Sequence, residues 1–275
     1  MRYLSSYVLL VSLPGLLWSQ TLLTHGQIQF LQINFNTVPE PAWDIRIENE
    51  TLAVEYSSTF VTSGLRTFDA VGGARFRVQG NQHLFTRPAT PDWNFTGVAP
   101  GQLFRATPQN GDPDTQLIMG ISSLGVSSSF FDLNQFTITL STVGLGNPGD
   151  FALYGNDNTF GSAIGSLSPF PILLSTSDNI SSFIYTGGTQ NFFNLSFSEP
   201  GIYELDFQFS GVRTIAGEPV TYTSPFYRYR FEVAAIPEPT TWALLGCSAA
   251  GGMITCWQLR RLHRKKLQAE VELPV

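Results

Sequence analysis

The stretch NFFNLSFSEPGIYELDFQFSG, Asn191–Gly211, decides how the rest of the chain is read. Phe193, Leu195 and Phe197 alternate with smaller or polar residues. After Glu199-Pro200-Gly201, Tyr203, Leu205, Phe207 and Phe209 alternate with Glu204, Asp206 and Gln208. A period of two is the spacing of side chains on one face of a β-strand. Two such runs joined by a Pro-Gly turn predict a hairpin with one buried and one wet face. The following stretch, TYTSPFYRYRFEV (Thr221–Val233), predicts one further strand. Tyr227, Tyr229, Phe231 and Val233 face one way, and Arg228, Arg230 and Glu232 the other.

Working back toward the N-terminus, strands are expected at His25–Asn36, Trp43–Ile47, Leu52–Tyr56, Ala74–Val78, Gln116–Ile121, Phe136–Val143, Phe151–Tyr154, Pro171–Leu174 and Ser181–Tyr185. Asn110-Gly111, Asn147-Pro148-Gly149 and Gly187-Gly188 supply turns between them. The region is rich in Phe, Thr, Ser, Gly, Asn and Pro and shows no amphipathic helical period. The expectation is an all-β fold, an antiparallel β-sandwich of immunoglobulin-like or jelly-roll-like type, over residues 21–236. The loop-rich stretch 80–103 is the candidate seam if there are two sandwiches. No short internal repeat is visible.

The two ends read differently. Arg2, the apolar run Tyr7–Trp18 and the small Ser19 predict a signal peptide over residues 1–20. At the other end, Pro237-Glu238-Pro239 precedes an uncharged run, Trp242–Leu259, predicted as a transmembrane helix. Its eighteen residues would extend about 27 Å. Arg260, Arg261, Arg264, Lys265 and Lys266 follow, and residues 267–275 form a short tail. The positive-inside rule would keep these five cations cytoplasmic. They include both lysines of the protein. Residues 21–236 hold nine arginines, no lysine and eighteen acidic side chains. Such a body repels phosphates, so a nucleic-acid partner is not expected. Both cysteines, Cys247 and Cys256, lie in the terminal apolar run, so no disulfide is expected in the body.

The C-terminal segment 237–266 resembles a PEP-CTERM sorting signal, with the triplet, the Thr-Thr-Trp-Ala-Leu-Leu opening, the apolar run and the basic end in that order. The resemblance implies recognition by an exosortase-type processing enzyme in the membrane. It also implies delivery to the cell surface or extracellular matrix of a Gram-negative bacterium, after an inner-membrane-anchored precursor. Residues 267–275 extend past the usual basic end. GNPGDFALYG (Gly146–Gly155), EPGIYELDFQFSGV (Glu199–Val212) and the closing strand Tyr222–Val233 resemble a surface domain called choice-of-anchor M. HGQIQF and WDIRIEN resemble its opening. That resemblance implies an exported, surface-held β domain. Where its opening strands often carry histidines, this sequence has Gln27, Arg46 and Glu48, so no metal role is carried over.

Catalytic chemistry is hard to assemble from the body. It has two histidines, His25 and His83, and no Cys or Lys. It has no His-Glu-x-x-His, no Gly-x-Ser-x-Gly and no phosphate-cradling loop ending in Lys. GISSLG (Gly120–Gly125) is one residue too long for a nucleophile elbow. A paired-carboxylate hydrolase needs only two acids, but no pair can be singled out. Zinc on His25 and His83 would need further ligands. Asp112 and Asp114 are weak calcium candidates, as are Asn156, Asp157 and Asn158, although such residues also populate turns for backbone reasons. No cofactor is expected. Trp93, flanked by Asp92 and Asn94 in a loop, is the candidate glycan contact. Trp43, beside Asp44, is expected in the core. The sequons at Asn49, Asn94, Asn179 and Asn194 are read as chance. The leading expectation is a non-catalytic surface or matrix protein. The alternative is a carbohydrate-binding or carbohydrate-cleaving module, with extracellular polysaccharide as its partner.

Overall fold

The alternating apolar positions resolve into eighteen strands in a computed structural model. It describes residues 20–236 apart from 39, 63, 69–72, 143–144 and 156–170, and the side chains of 60–62. In chain order the strands are β1 Thr21–Leu23, β2 Gly26–Asn36, β3 Ala42–Asn49, β4 Val54–Ser57, β5 Thr59–Thr62 and β6 Leu65–Thr67. Then come β7 Ala74–Val78, β8 Leu84–Thr86, β9 Leu103–Thr107, β10 Leu117–Gly125, β11 Gln135–Ser141 and β12 Phe151–Tyr154. The last six are β13 Ile172–Ser175, β14 Ser182–Thr186, β15 Gln190–Phe197, β16 Gly201–Ile215, β17 Glu218–Thr223 and β18 Tyr227–Val233. All of them lie in one compact unit, Met1–Ala234; the second unit, Ala235–Val275, falls almost wholly outside the described residues.

Two nine-stranded sheets result. The first runs β1-β7-β18-β16-β11-β14, with β6 beside β18, β5 beside β6 and β17 beside β16. The second runs β13-β12-β15-β10-β2-β3-β4, with β9 beside β15 and β8 beside β9. They meet through aromatic side chains. Phe30 of β2 lies edge-on to Phe207 at 5.9 Å and to Tyr229 at 6.0 Å, across the gap between the sheets. Trp43 stacks on Phe131 at 5.2 Å, and its indole Nε1 donates to the Tyr222 carbonyl at 3.1 Å.

Three expectations are corrected. First, β15 and β16 are not a hairpin. β15 belongs to the second sheet and β16 to the first, so the Ser198-Glu199-Pro200 turn carries the chain across the sandwich. Alternation marks which face of each strand is buried, and it does so equally for a hairpin and for an arch between layers. Second, the sheets are mixed. β1 with β7, β7 with β18, β6 with β18 and β2 with β10 pair parallel. The residues between β2 and β10 pass through strands of both sheets before returning, and so long a connection does not impose the antiparallel sense that a tight turn does. Third, Thr221–Val233 is two strands. The chain breaks at Ser224-Pro225-Phe226, where Ser224 Oγ accepts from the Phe209 amide at 2.9 Å and Pro225 offers no donor. β17 instead pairs with the end of β16 through Ala216 and Gly217, both at positive φ, the geometry of a tight two-residue hairpin turn.

The stretch 80–103 forms short 3₁₀ turns at Asn81–His83 and Pro91–Thr96 together with β8. It packs a second, smaller core of Trp93, Phe95, Phe104, Ala106, Ala152 and Tyr154. In β12, Phe151 and Leu153 enter the main core while Ala152 and Tyr154 enter the smaller one, so this strand is buried on both faces. One half of the second sheet's outer face is thereby covered. The other half, formed by β10, β2, β3 and β4, is left open.

Candidate functional site

The open half of the second sheet carries a dense polar surface, and its origin is a bulge in β2. The pairing of β2 slips against β3 between Gln29 and Gln32, and against β10 between Gly120 and Ile121. Phe30 and Leu31 are both fully buried as a result. Gln29 and Gln32, three apart, then share the outer face, where strict alternation would have opposed them.

Register aligns two rows across the strands. One runs Phe192, Gly120, Gln29, Glu48, Glu55, and the next runs Gln190, Ser122, Gln32, Arg46, Ser57. Gln29 lies flat over Gly120: a Cβ there would stand 2.4 Å from its Oε1. Gln29 Nε2 donates to Glu50 Oε1 at 2.8 Å, and Gln190 Nε2 donates to the same oxygen at 2.6 Å. Gln32 Nε2 donates to Glu48 Oε2 at 2.7 Å. A carboxylate accepts only, so each amide must turn its nitrogen toward it. That leaves Gln29 Oε1 and Gln32 Oε1 buried without a donor. Arg46 is engaged by Asp44 and Glu55, at 2.9 and 2.6 Å. Burial, with Glu50 and Glu55 nearby, holds the Glu48 carboxyl above the usual carboxylate range.

The residues singled out in the sequence fall elsewhere. Trp93 is 1 % exposed and packs on Phe95, Phe104 and Tyr154. It offers no face to a sugar, and the reading of Trp93 as a glycan contact is corrected. Its 3₁₀ turn places Trp93 inward and leaves Asp92 and Asn94 exposed, with Asn94 Oδ1 taken by Arg87. Trp43 is in the core, as expected. Asp112 serves its own turn: Oδ1 accepts from the Asp114 amide and Oδ2 from Thr115 Oγ1. Residues 156–158 lie outside the described residues. Among those described, no group of three or more His, Cys, Asp or Glu is placed to hold a metal ion. His25 is exposed beside Thr24. His83 is buried, donating from Nδ1 to the Ala106 carbonyl at 2.9 Å and accepting at Nε2 from the Leu117 amide at 3.3 Å, so both ring nitrogens are used. Asn49 and Asn194 are buried with their amide oxygens on backbone N–H groups, which does not suit surface sequons. Gln27, Arg46 and Glu48, already marked as replacing histidines, lie on the open face, but Gln29, Gln32 and Gln190 were missed.

The signal segment, Pro237, Glu238 and Pro239, the apolar run 242–259 with Cys247 and Cys256, and Arg260, Arg261, Arg264, Lys265 and Lys266 lie outside the described residues. Among those described, no helix is long and apolar enough to cross a membrane. No protein-family model, no curated protein and no solved structure matches this chain.

Proposed function

We propose that this chain is an exported, non-catalytic surface or extracellular-matrix protein of a Gram-negative bacterium, first held in the inner membrane by its C-terminal segment and then processed by an exosortase-type enzyme. One observation carries the reading: the order of Pro237-Glu238-Pro239, an uncharged run over 242–259 and five cations within 260–266. A plain anchor needs only the apolar run and the cations. It has no use for an acidic Pro-Glu-Pro ahead of the apolar run. Proline disfavours helical backbone at and just before its own position, the property that an enzyme reading an extended triplet would use. The β-sandwich ahead of the tail, net acidic and without thiols, supports the reading as a domain that holds together by its core alone. The carbohydrate-binding alternative draws its support from the open polar half of the second sheet, not from Trp93.

The test is to change Glu238→Ala and Pro239→Ala together in a host that has an exosortase, and to compare cell fractions. Processing stops in the variant, and full-length protein accumulates in the inner membrane. Should wild type and variant both stay full-length and membrane-bound, the tail is an ordinary anchor and the sorting reading fails.

A further inference from the structure

We propose that the open half of the second sheet binds an uncharged, hydroxyl-rich polysaccharide along the row from Phe192 to Glu55. The inference stands apart from the sorting of the tail, whose failure would leave binding untouched.

The first argument is a mismatch of donors and acceptors. Gln29 is fully buried, its nitrogen is committed to Glu50, and its oxygen has no donor; Gln32 repeats the arrangement against Glu48. A buried acceptor without a donor weakens a fold, and an apolar side chain at either position would remove the penalty. Glu48 and Glu50 add carboxylate oxygens, and the nearest cation, Arg46, is already taken by Asp44 and Glu55. The surface therefore has acceptors and negative charge in surplus. It repels anionic polymers, and the carboxylates of Glu48, Glu50 and Glu55, which reach solvent where the Gln29 and Gln32 oxygens do not, offer partners to hydroxyl donors.

The second argument is the ring at one end. Phe192 is half-buried on the outer face, in register with Gly120 and Gln29. An aromatic face beside amides and carboxylates suits the C–H face and the rim hydroxyls of a sugar ring at once. A bare cation would leave Phe192 without a role, and the described residues hold no cluster of three His, Cys, Asp or Glu for one. The row crosses four strand spacings, about 19 Å, with Gly120 and Gln29 buried at its middle and Phe192, Glu48 and Glu55 reaching solvent on either side. That shape fits an extended chain better than a small molecule.

The full-length protein in detergent is passed over immobilised mannan, laminarin and alginate, with calcium present and absent, and association is followed by interferometry. Binding to at least one of the two neutral polymers is expected, without need of calcium. Phe192→Ala and the exposed Gln190→Ala each weaken it by about tenfold. Arg75→Ala, on the other sheet, leaves it unchanged. If Phe192→Ala loses its unfolding transition, Gln190→Ala decides alone. Absence of binding to both neutral polymers, equal binding to alginate, or binding that ignores these variants or depends on calcium overturns the proposal.

Discussion

The ring of Phe197 stands 5.0 Å from the ring of Tyr203, yet one belongs to the second sheet and the other to the first. The turn between them is closed by the Tyr203 hydroxyl. It donates to the Glu199 carbonyl at 2.9 Å and accepts from the Glu199 amide at 3.1 Å. Gly201 leaves the turn at φ +141, with Pro148 against the place a Cβ would take. Tyr203 thus ties the crossing between layers to the core, with its ring in the core and its tip in the turn, while Ser198 Oγ accepts from the Asp150 amide at 2.7 Å.

Tyr203→Phe keeps the ring and deletes both hydrogen bonds. It should cost about 1–3 kcal/mol, the range for a turn amide and carbonyl losing a buried partner. Tyr203→Ala should cost about 3–5 kcal/mol by opening the core as well. Urea unfolding measures both. Equal losses for the two variants would show that the hydroxyl contributes nothing.

Some of this architecture was legible from alternation alone. β7 and β12 have the expected bounds, and Tyr227, Tyr229, Phe231 and Val233 are buried while Arg228, Arg230 and Glu232 face out. These properties belong to single strands. Which sheet a strand joins, and in which sense, depends on partners distant in sequence, so β15 and β16 were misread as neighbours. Trp93 was misread because a loop-like composition conceals a 3₁₀ turn that points one side chain inward. The polar face was hidden for a different reason. Gln29 and Gln32 break the period of two, and only the bulge at Phe30 and Leu31 reconciles them.

Trp93→Ala empties the smaller core and should cost about 3–5 kcal/mol. The loss is local to the cover formed by residues 80–103, and polysaccharide binding measured on folded variant should match wild type. A variant of full stability would place Trp93 outside any packed core.

His83 makes stability depend on pH. Burial and the nearby Arg105 hold its imidazole below the ordinary value of 6.5, and Nε2 already accepts from Leu117. The unfolded chain therefore binds this proton before the folded chain does. Stability from the neutral ring is fully present above pH 6.5, and it is lost as pH falls from 6.5 toward the lower folded value, by at most about 1.4 kcal/mol per pH unit. His83→Gln should remove that part of the slope. Parallel pH curves for wild type and variant, in urea unfolding between pH 7 and pH 5, would refute the assignment.

Gly120 and Gln29 should be coupled. A methyl group at 120 would lie 2.4 Å from Gln29 Oε1 and 2.7 Å from Nε2, so the amide must leave its place against Glu50. The far end of a side chain can move, but this one is fully buried, and its displacement gives up the bond to Glu50. Gly120→Ala alone should cost about 1–3 kcal/mol, the range for overpacking a filled site. Gln29→Ala alone removes an acceptor that has no donor, which partly offsets the lost packing, so its cost should be smaller. In the double variant the new methyl group enters space that the amide has left. The two effects should then fail to add by about 1–2 kcal/mol, in the stabilising direction. Urea unfolding of the four proteins gives that coupling directly. Additivity within about 0.5 kcal/mol would mean that Gln29 does not rest on Gly120, and the row from Phe192 to Glu55 would lose its central contact.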